Sequence, residues 1–520
     1  MILSLSRSLR CSAAVVIAGV FAAQSLPAAA ESLRDAVALA YESNPAIQAE
    51  RARLRASNEV YVQARSNFGP RISAEAGVTY DRLDRNREIF KGNSDQQSVT
   101  LSQPIFTGGR AGASLQAAES DVRAARERLR QAEADLLLRV ITAYVGVRRD
   151  EQILTVARES VAVLQRQLEE TRAKVEVREN TRTDLAQAEA RLAAAQAQLF
   201  NVQAQLANSR AQYFNIVGRN PVDLEPEPDL GGLPETVEGA FTAAEAGNNT
   251  LLAAKYAELG SRARVSVARS QMMPSVDLRL QAARTPQALY LPDPYYNTLM
   301  AQATVSQPLF TGGQISSGIR RALETNNADR LLIDSTRRDV VRNVSQQWNL
   351  LSAARNALNA DQANVTASET AFFGMREEER FGLRSTIELL NAQQELTAAQ
   401  TSLLRDRYAE YTSRAGLLHS MGRLTVDVIA PDVARYDAEA DFDRVKNKGA
   451  LPTDLVARTL DSVATPPLGP PLPAKETGAP DNNLALPPSP TAAADAPPLR
   501  SLTELMNATE GSPLPTAGGR

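Results

Sequence analysis

A nine-residue phrase occurs twice in this chain. Residues 102–110 read Ser-Gln-Pro-Ile-Phe-Thr-Gly-Gly-Arg, and residues 306–314 read Ser-Gln-Pro-Leu-Phe-Thr-Gly-Gly-Gln, 204 positions later. The same spacing relates Asn44 to Asn248, Pro70 to Pro274, Asp184 to Glu388, Gly218 to Gly422 and Asp223 to Asp427. Matches in constant register over such a distance define a tandem duplication, so whatever one copy folds into, the other repeats. Within the phrase, Pro104 and Pro308 mark the end of a strand, because proline cannot donate to a sheet ladder. Gly108-Gly109 and Gly312-Gly313 then break the chain ahead of a long Ala-rich polar stretch. Each phrase is therefore a strand-to-helix junction.

Each copy reads in the same order. The opening segments, from Glu31 to Asn67 and from Phe241 to Met273, have helical spacing and are interrupted at Asn44-Pro45 and Asn248-Asn249. Strict alternation follows. Ile72, Ala74, Ala76 and Val78 oppose Arg71, Ser73, Glu75 and Thr79, and Val276, Leu278, Leu280 and Ala282 oppose Asp277, Arg279 and Gln281. Return strands alternate likewise, so 71–80, 97–106, 275–284 and 298–309 are expected to be strands, joined by loops at 81–96 and 285–297. About ten alternating residues match a membrane barrel strand in length. Phe106 and Phe310 lie at one end and Tyr80, Tyr290, Tyr295 and Tyr296 at or beyond the other, the placement of interfacial aromatic girdles.

After each Gly-Gly comes a very long helix, near 111–177 and 315–381, about 100 Å long at 1.5 Å per residue. Apolar positions match between copies: Leu136 with Val340, Val140 with Val344, Tyr144 with Trp348, Val147 with Leu351, Leu154 with Leu358. Breaks near 178–182 and 382–385 precede return helices carrying Leu185, Ala188, Leu192, Ala195, Leu199 and Leu389, Ala392, Leu396, Ala399, Leu403. Steps of three and four are coiled-coil spacing, and Leu alternating with Ala lets helices approach closely.

The ends of the chain differ from its core. Arg7 and Arg10 precede an apolar run from Cys11 to Ala23, and Ala28-Ala29-Ala30 offers a cleavage site before Glu31: a secretory signal over 1–30. The mature chain is then expected to contain no cysteine, which excludes disulfides and thiolate metal sites. The net charge of −3 includes no basic block of the kind nucleic acid needs. No phosphate loop, HExxH or GxSxG occurs, and the only histidine, His419, sits near a helix end where packing or capping is its expected role. No catalytic site, cofactor or metal is expected. Copy one occupies 31–227, copy two 228–431, and a Pro/Ala-rich tail, 432–520, is expected to be disordered and dispensable for folding.

Four strands cannot close a barrel, and an open sheet edge cannot stand in lipid. Single-chain barrels start at about eight strands, so the chain must pool strands with copies of itself: three copies supply twelve strands, and two or four copies also satisfy the argument.

The chain resembles the TolC-type outer-membrane factors. The resemblance rests on Ser32-Leu33-Arg34-Asp35-Ala36-Val37 with Asn44-Pro45, on both Ser-Gln-Pro-x-Phe-Thr-Gly-Gly phrases, and on the run Phe381-Gly382-Leu383-Arg384-Ser385-Thr386-Ile387-Glu388-Leu389-Leu390-Asn391-Ala392. It covers about residues 32–430. It implies a homotrimer: a twelve-stranded β-barrel in outer-membrane lipid, continued by a long α-helical barrel through the periplasm of a Gram-negative cell. It implies export, as drug efflux or type I protein secretion, driven by an inner-membrane ABC or proton-driven transporter through a periplasmic adaptor. It also implies a gate at the periplasmic tip. The family's two acids three residues apart fall at Glu388 and Asn391, so one carboxylate ring of three would replace six. The family's acid–arginine latch falls at Asp184 and Arg384, and its tip tyrosine is Glu379 here. A periplasmic adaptor or a coiled-coil scaffold is the alternative; neither accounts for duplicated ten-residue strands beside duplicated Gly-Gly junctions.

Overall fold

The computed structural model describes residues 30–288, 291–475, 478–481, 483–488, 499–502 and 504. The expected signal segment therefore lies outside the described residues, except for Ala30. Copy one runs α1 (Leu33–Ser43), α2 (Pro45–Arg65), a short 3₁₀ turn, β1 (Arg71–Arg85), β2 (Glu88–Phe106), α3 (Arg110–Glu176) and α4 (Arg182–Val217). Copy two runs α5 (Val237–Gly247), α6 (Asn249–Ser270), β3 (Ser275–Ala288), β4 (Leu291–Ser306), α7 (Gln314–Arg380) and α8 (Thr386–Ser420). Short helices follow among the described residues: α9 (Val426–Ile429), α10 (Ala438–Val445) and α11 (Pro452–Ser462).

The duplication extends to single hydrogen bonds. Asn44 caps α2 by accepting from Ala46 N–H at 2.9 Å, while its amide donates to the carbonyl of Ile216 at 3.0 Å. Asn248 caps α6 through Leu251 N–H at 3.0 Å, and its amide donates to the carbonyl of Ser420 at 2.9 Å. One side chain in each copy thus both starts a helix and ties it to the end of the return helix.

The four strands form one antiparallel sheet in the order β1-β2-β3-β4. Its register aligns side chains of one kind into rows. Ala74 pairs with Val99, Val99 with Ala282 and Ala282 with Leu299; Ile72 pairs with Leu101, Leu101 with Leu280 and Leu280 with Ala301. The intervening rows carry Arg71, Ser102, Arg279 and Gln302, or Glu75, Ser98, Ala283 and Thr298. Successive residues point to opposite faces, so one face carries an apolar band across all four strands, bordered toward the hairpin turns by the row Ala76, Gln97, Arg284 and Asn297. That face is uncovered: Ile72 is 73% exposed and Leu299 84%.

Three strand expectations are corrected. The loop expected over 81–96 is strand: β1 and β2 stay paired, from Asp81 opposite Gly92 to Arg85 opposite Glu88, up to a two-residue turn at Asn86-Arg87. Both turn residues have positive φ, 54° and 71°, as a tight hairpin matched to strand twist requires. The loop expected over 285–297 is likewise replaced by pairing that continues to Ala288 opposite Leu291, and Tyr290 lies outside the described residues. Pro104 does not end its strand; it sits at a bulge within β2, where a missing N–H costs no ladder bond. Pro308 falls two residues beyond the end of β4.

The long helices α3 and α7 have 67 residues each, and the return helices 36 and 35. The matched apolar pairs are buried together in the core that joins the two copies, from Leu136 and Val340 through Tyr144 and Trp348 to Val147 and Leu351. The two Leu/Ala stripes differ. On α8, Leu389, Ala392, Leu396, Ala399 and Leu403 are all buried; on α4 only Ala188 is. The reason is position: α8 packs against both α7 and α3, whereas α4 lies chiefly along α3. Phe200 on α4 and Leu331 on α7 stay 67% and 69% exposed.

The tail expectation is corrected for its described part. Averaged over 432–520 the composition is poor in aromatics, yet the few that occur are concentrated near the start and are used. Phe442 of α10 stacks edge-on to Tyr61 of α2 at 4.9 Å, and Arg126 lies 5.1 Å over the Phe442 ring. Arg65 donates to the carbonyls of Lys446 and Lys448. Beyond α11 the described residues as far as Ser501 form no helix or strand and lie against α3, α6, α7 and α8, while Leu502 and Glu504 are helical.

Candidate functional site: the strand–helix junctions and the helical tip

At the first junction, Gly108 and Gly109 have φ of 65° and 84°, which L side chains rarely adopt. Space forbids a side chain as well: a Cβ on Gly109 would lie 2.5 Å from the carbonyl oxygen of Ala464. The tail approaches so closely because Asp461 inserts there. Its Oδ1 accepts from Thr107 N–H at 2.8 Å, the Thr107 hydroxyl at 2.8 Å and Gly109 N–H at 3.0 Å, and its Oδ2 from Gly112 N–H at 3.0 Å. A carboxylate at the start of a helix satisfies amides that lack intrahelical partners and meets the positive end of the dipole. The second junction repeats the backbone, with φ of 58° and 86° at Gly312 and Gly313. It carries no such carboxylate among the described residues, and Phe310 beside it is 91% exposed. Sequence reading missed Asp461, since a lone acid in a short helix has no distinguishing pattern.

At the other end of the long helices, Asp184 and Glu388 occupy the same place in their copies. Asp184 accepts from Thr181 N–H at 2.9 Å and its hydroxyl at 2.8 Å; Glu388 accepts from Ser385 N–H at 2.9 Å and its hydroxyl at 3.0 Å. Both close capping boxes, readable in sequence as Thr-x-x-Asp and Ser-x-x-Glu. The Ser385 backbone N–H, then its hydroxyl, then Arg384 hold the Glu388 carboxyl below its ordinary range. Arg384 bonds to Glu378 at 2.7 Å and to Glu388 at 3.3 Å, and these carboxylates push its own pKa upward. Within the protomer, Asp184 and Arg384 are thus engaged separately rather than with each other.

Other side chains fasten the two hairpins. Asn391 accepts from Arg191 at 2.9 Å, and Arg191 also reaches Gln394, joining α4 to α8. Lys174 bonds to the buried Glu379 at 2.8 Å, joining the last turns of α3 and α7. The position where the resembling family carries tyrosine is thereby remade as an ion pair. His419, in the last turn of α8, bonds to Asp135 at 2.6 Å and links α8 to α3. Burial raises the Asp135 carboxyl, but the hydrogen bonds from His419 and Gln131 outweigh it and lower its pKa. No helix among the described residues is long and apolar enough to cross a membrane.

Comparison with known proteins gives the same architecture. The model of the outer membrane efflux protein family matches twice, over residues 36–219 and 241–423. The outer membrane efflux protein BepC of Brucella suis is 30% identical over 437 residues, 84% of this chain and 95% of that protein. The alkaline protease secretion protein AprF of Pseudomonas aeruginosa is 25% identical over 75% of this chain and 84% of its own length. The solved CmeC outer membrane channel of Campylobacter jejuni superposes with a TM-score of 0.68 at 15% identity, covering 80% of this chain and 89% of that one. With both copies of the duplication matched, the chain belongs to the outer membrane efflux protein family.

Proposed function

We propose that three copies of this chain assemble into an export channel, a twelve-stranded barrel in the outer membrane continued by a helical tunnel in the periplasm. The observation that carries this reading is the alignment of apolar rows across an open four-stranded sheet. Such a face belongs against lipid, and its two open edges, at β1 and β4, must then be paired with other copies. The helical wall is open as well, with apolar side chains exposed on α4 and α7. Family membership favours three copies over two or four. Fractionation and mass measurement test this: the chain should sediment with outer membranes, run as a heat-resistant trimer and conduct ions in a planar bilayer. A soluble monomer without conductance would refute it.

The tip is the gate in this reading. Three Glu388 carboxylates, with Asn391 one turn further on, surround the tunnel axis and draw cations, and Asp184 of one protomer meets Arg384 of another. A periplasmic adaptor and an inner-membrane ABC or proton-driven transporter supply the cargo and the energy. The two relatives above carry names of different cargo classes, efflux and protease secretion. Comparing secreted proteins and drug susceptibility in a deletion strain separates them.

A further inference from the structure

The long helices carry equivalent stripes, and each stripe is covered by an extended segment, but not by the same one. On α3, Tyr144 donates to the carbonyl of Glu225 at 2.8 Å and Arg148 pairs with Glu227, both in the linker between the copies. On α7 the equivalent Trp348 donates from its indole N–H to the carbonyl of Leu484 at 2.8 Å, and the equivalent Ser352 donates to that of Ala485. Arg355 donates to the carbonyl of Pro487 at 2.8 Å, and Asn349 accepts from Leu484 N–H at 2.8 Å. A head-to-tail duplication has one linker for two equivalent grooves, and the tail returns to fill the second.

The tail then continues past the last turn that the linker covers. Gln400 of α8 donates to the carbonyl of Arg500 at 3.3 Å, and Leu502 N–H donates to Glu159 of α3 at 3.1 Å. The Leu502 side chain is 0% exposed, clustered with Val163 of α3, Phe372 of α7, and Leu389, Ala392 and Leu396 of α8. Its spacing suits an extended chain. Residues 475 and 487 contact Asp334 and Arg355, about 32 Å apart along a helix, and twelve residues of polyproline II span about 37 Å. These contacts run chiefly between tail backbone and groove side chains, as in proline-rich peptide recognition, where the segment is already extended before it binds. Only a few tail side chains are read, Leu502 above all.

We propose that the groove along α7 and α8 is a binding surface for an extended, proline-containing peptide with an aliphatic anchor. Its resident ligand is the chain's own tail, through the described residues 466–475, 478–481, 483–488 and 499–502, and Leu502 seats in its socket reversibly. Seating joins α3 of the first hairpin to α7 and α8 of the second, on the tip side of the main core.

Trp348 is the only tryptophan in the chain and lies under the tail, so its emission reports docking. Ending the chain at Thr465 retains α11 and Asp461 and uncovers the groove. The emission of that variant should shift to the red, and a synthetic peptide of residues 466–504 should return it saturably. The same peptide with Leu502→Asp should bind about tenfold or more weakly, the loss expected for one buried leucine. Identical emission of truncated and intact protein, no response to the peptide, or equal binding of the two peptides overturns the proposal. Should the truncated chain fail to assemble, a protease site placed after Thr465 allows cutting after assembly. Dilution should then release the tail and shift the emission, and a cut tail that stays bound with unshifted emission at every dilution overturns reversible seating.

Discussion

Replacing Asp461 by Ala leaves Thr107 N–H, the Thr107 hydroxyl, Gly109 N–H and Gly112 N–H without their acceptor. Asp461 is 1% exposed and Thr107 8%, so water does not reach the site freely. A lost helix cap alone costs about 1 kcal/mol, and each buried donor left unsatisfied about 1–3 kcal/mol. Such losses are not additive, because the emptied space admits water, and about 3 kcal/mol is the expected outcome for the site as a whole. Local opening should become about a hundredfold more frequent, at about 1.4 kcal/mol per factor of ten. Hydrogen–deuterium exchange with mass spectrometry measures this directly in a peptide spanning 105–115. The peptide spanning 309–319 is the internal control, since the second junction repeats the backbone conformation without this acid. Unchanged exchange at the first junction would refute the assignment of Asp461 as its cap. Equal acceleration at both junctions would refute a local role, pointing to loss of the whole fold.

Four further outcomes are expected. Leu280→Arg, on the apolar face near the middle of β3, should cost about 2–4 kcal/mol and lower trimer yield in outer membranes, whereas Gln281→Arg on the other face should assemble normally. Lys174→Ala strands the buried Glu379 carboxylate and should destabilise the tip by up to about 3 kcal/mol; Glu379→Gln, which leaves the half-exposed lysine in water, should cost less, and limited proteolysis at the hairpin turns ranks the two. Because the folded-state pKa of Glu388 is depressed, its contribution to capping α8 is complete above the ordinary carboxylate value of 4.5 and is lost as pH falls through the lower folded value, so exchange in the 383–390 peptide should quicken only at acid pH, and Glu388→Gln should abolish that dependence. In single-channel recording, Glu388→Gln should weaken cation selectivity, and Asp184→Ala with Arg384→Ser should raise conductance; a double variant that matches wild type refutes the latch.

Much of this was legible because it is periodic. The duplication, the heptads of α4 and α8, and the alternation of β1 to β4 are patterns that a long chain repeats many times, so each survives local exceptions. The capping boxes at Thr181 and Ser385 were also readable, since Ser/Thr with Asp/Glu three residues on has one favoured geometry. What escaped was non-repeating and long-range. Asp461 meets Thr107 across 354 positions, and nothing local to either residue signals the other. The tail was misjudged for a related reason: mean composition weighs residues equally, whereas docking depends on a few, such as Phe442 and Leu502. The same limit applies to the tip. The spacing matched Asp184 to Glu388, but the partner of Lys174, Glu379 of the other hairpin, is fixed by how the hairpins pack.

The equal lengths of α3 and α7, 67 residues each, restrict how this molecule can change in evolution. A single-residue insertion in a long helix turns everything beyond it by about 100° and lifts it by about 1.5 Å. The buried stripe then faces outward, and one hairpin overshoots its twin. The smallest change that restores the stripe is seven residues, adding about 10 Å of column. That change has to be made in the return helix of the same hairpin, and in both helices of the other copy, if the tip is to stay level. The height of the helical wall is therefore quantised: it changes by whole heptads in four helices together, and relatives with a taller or shorter column should differ by multiples of seven residues in matched places.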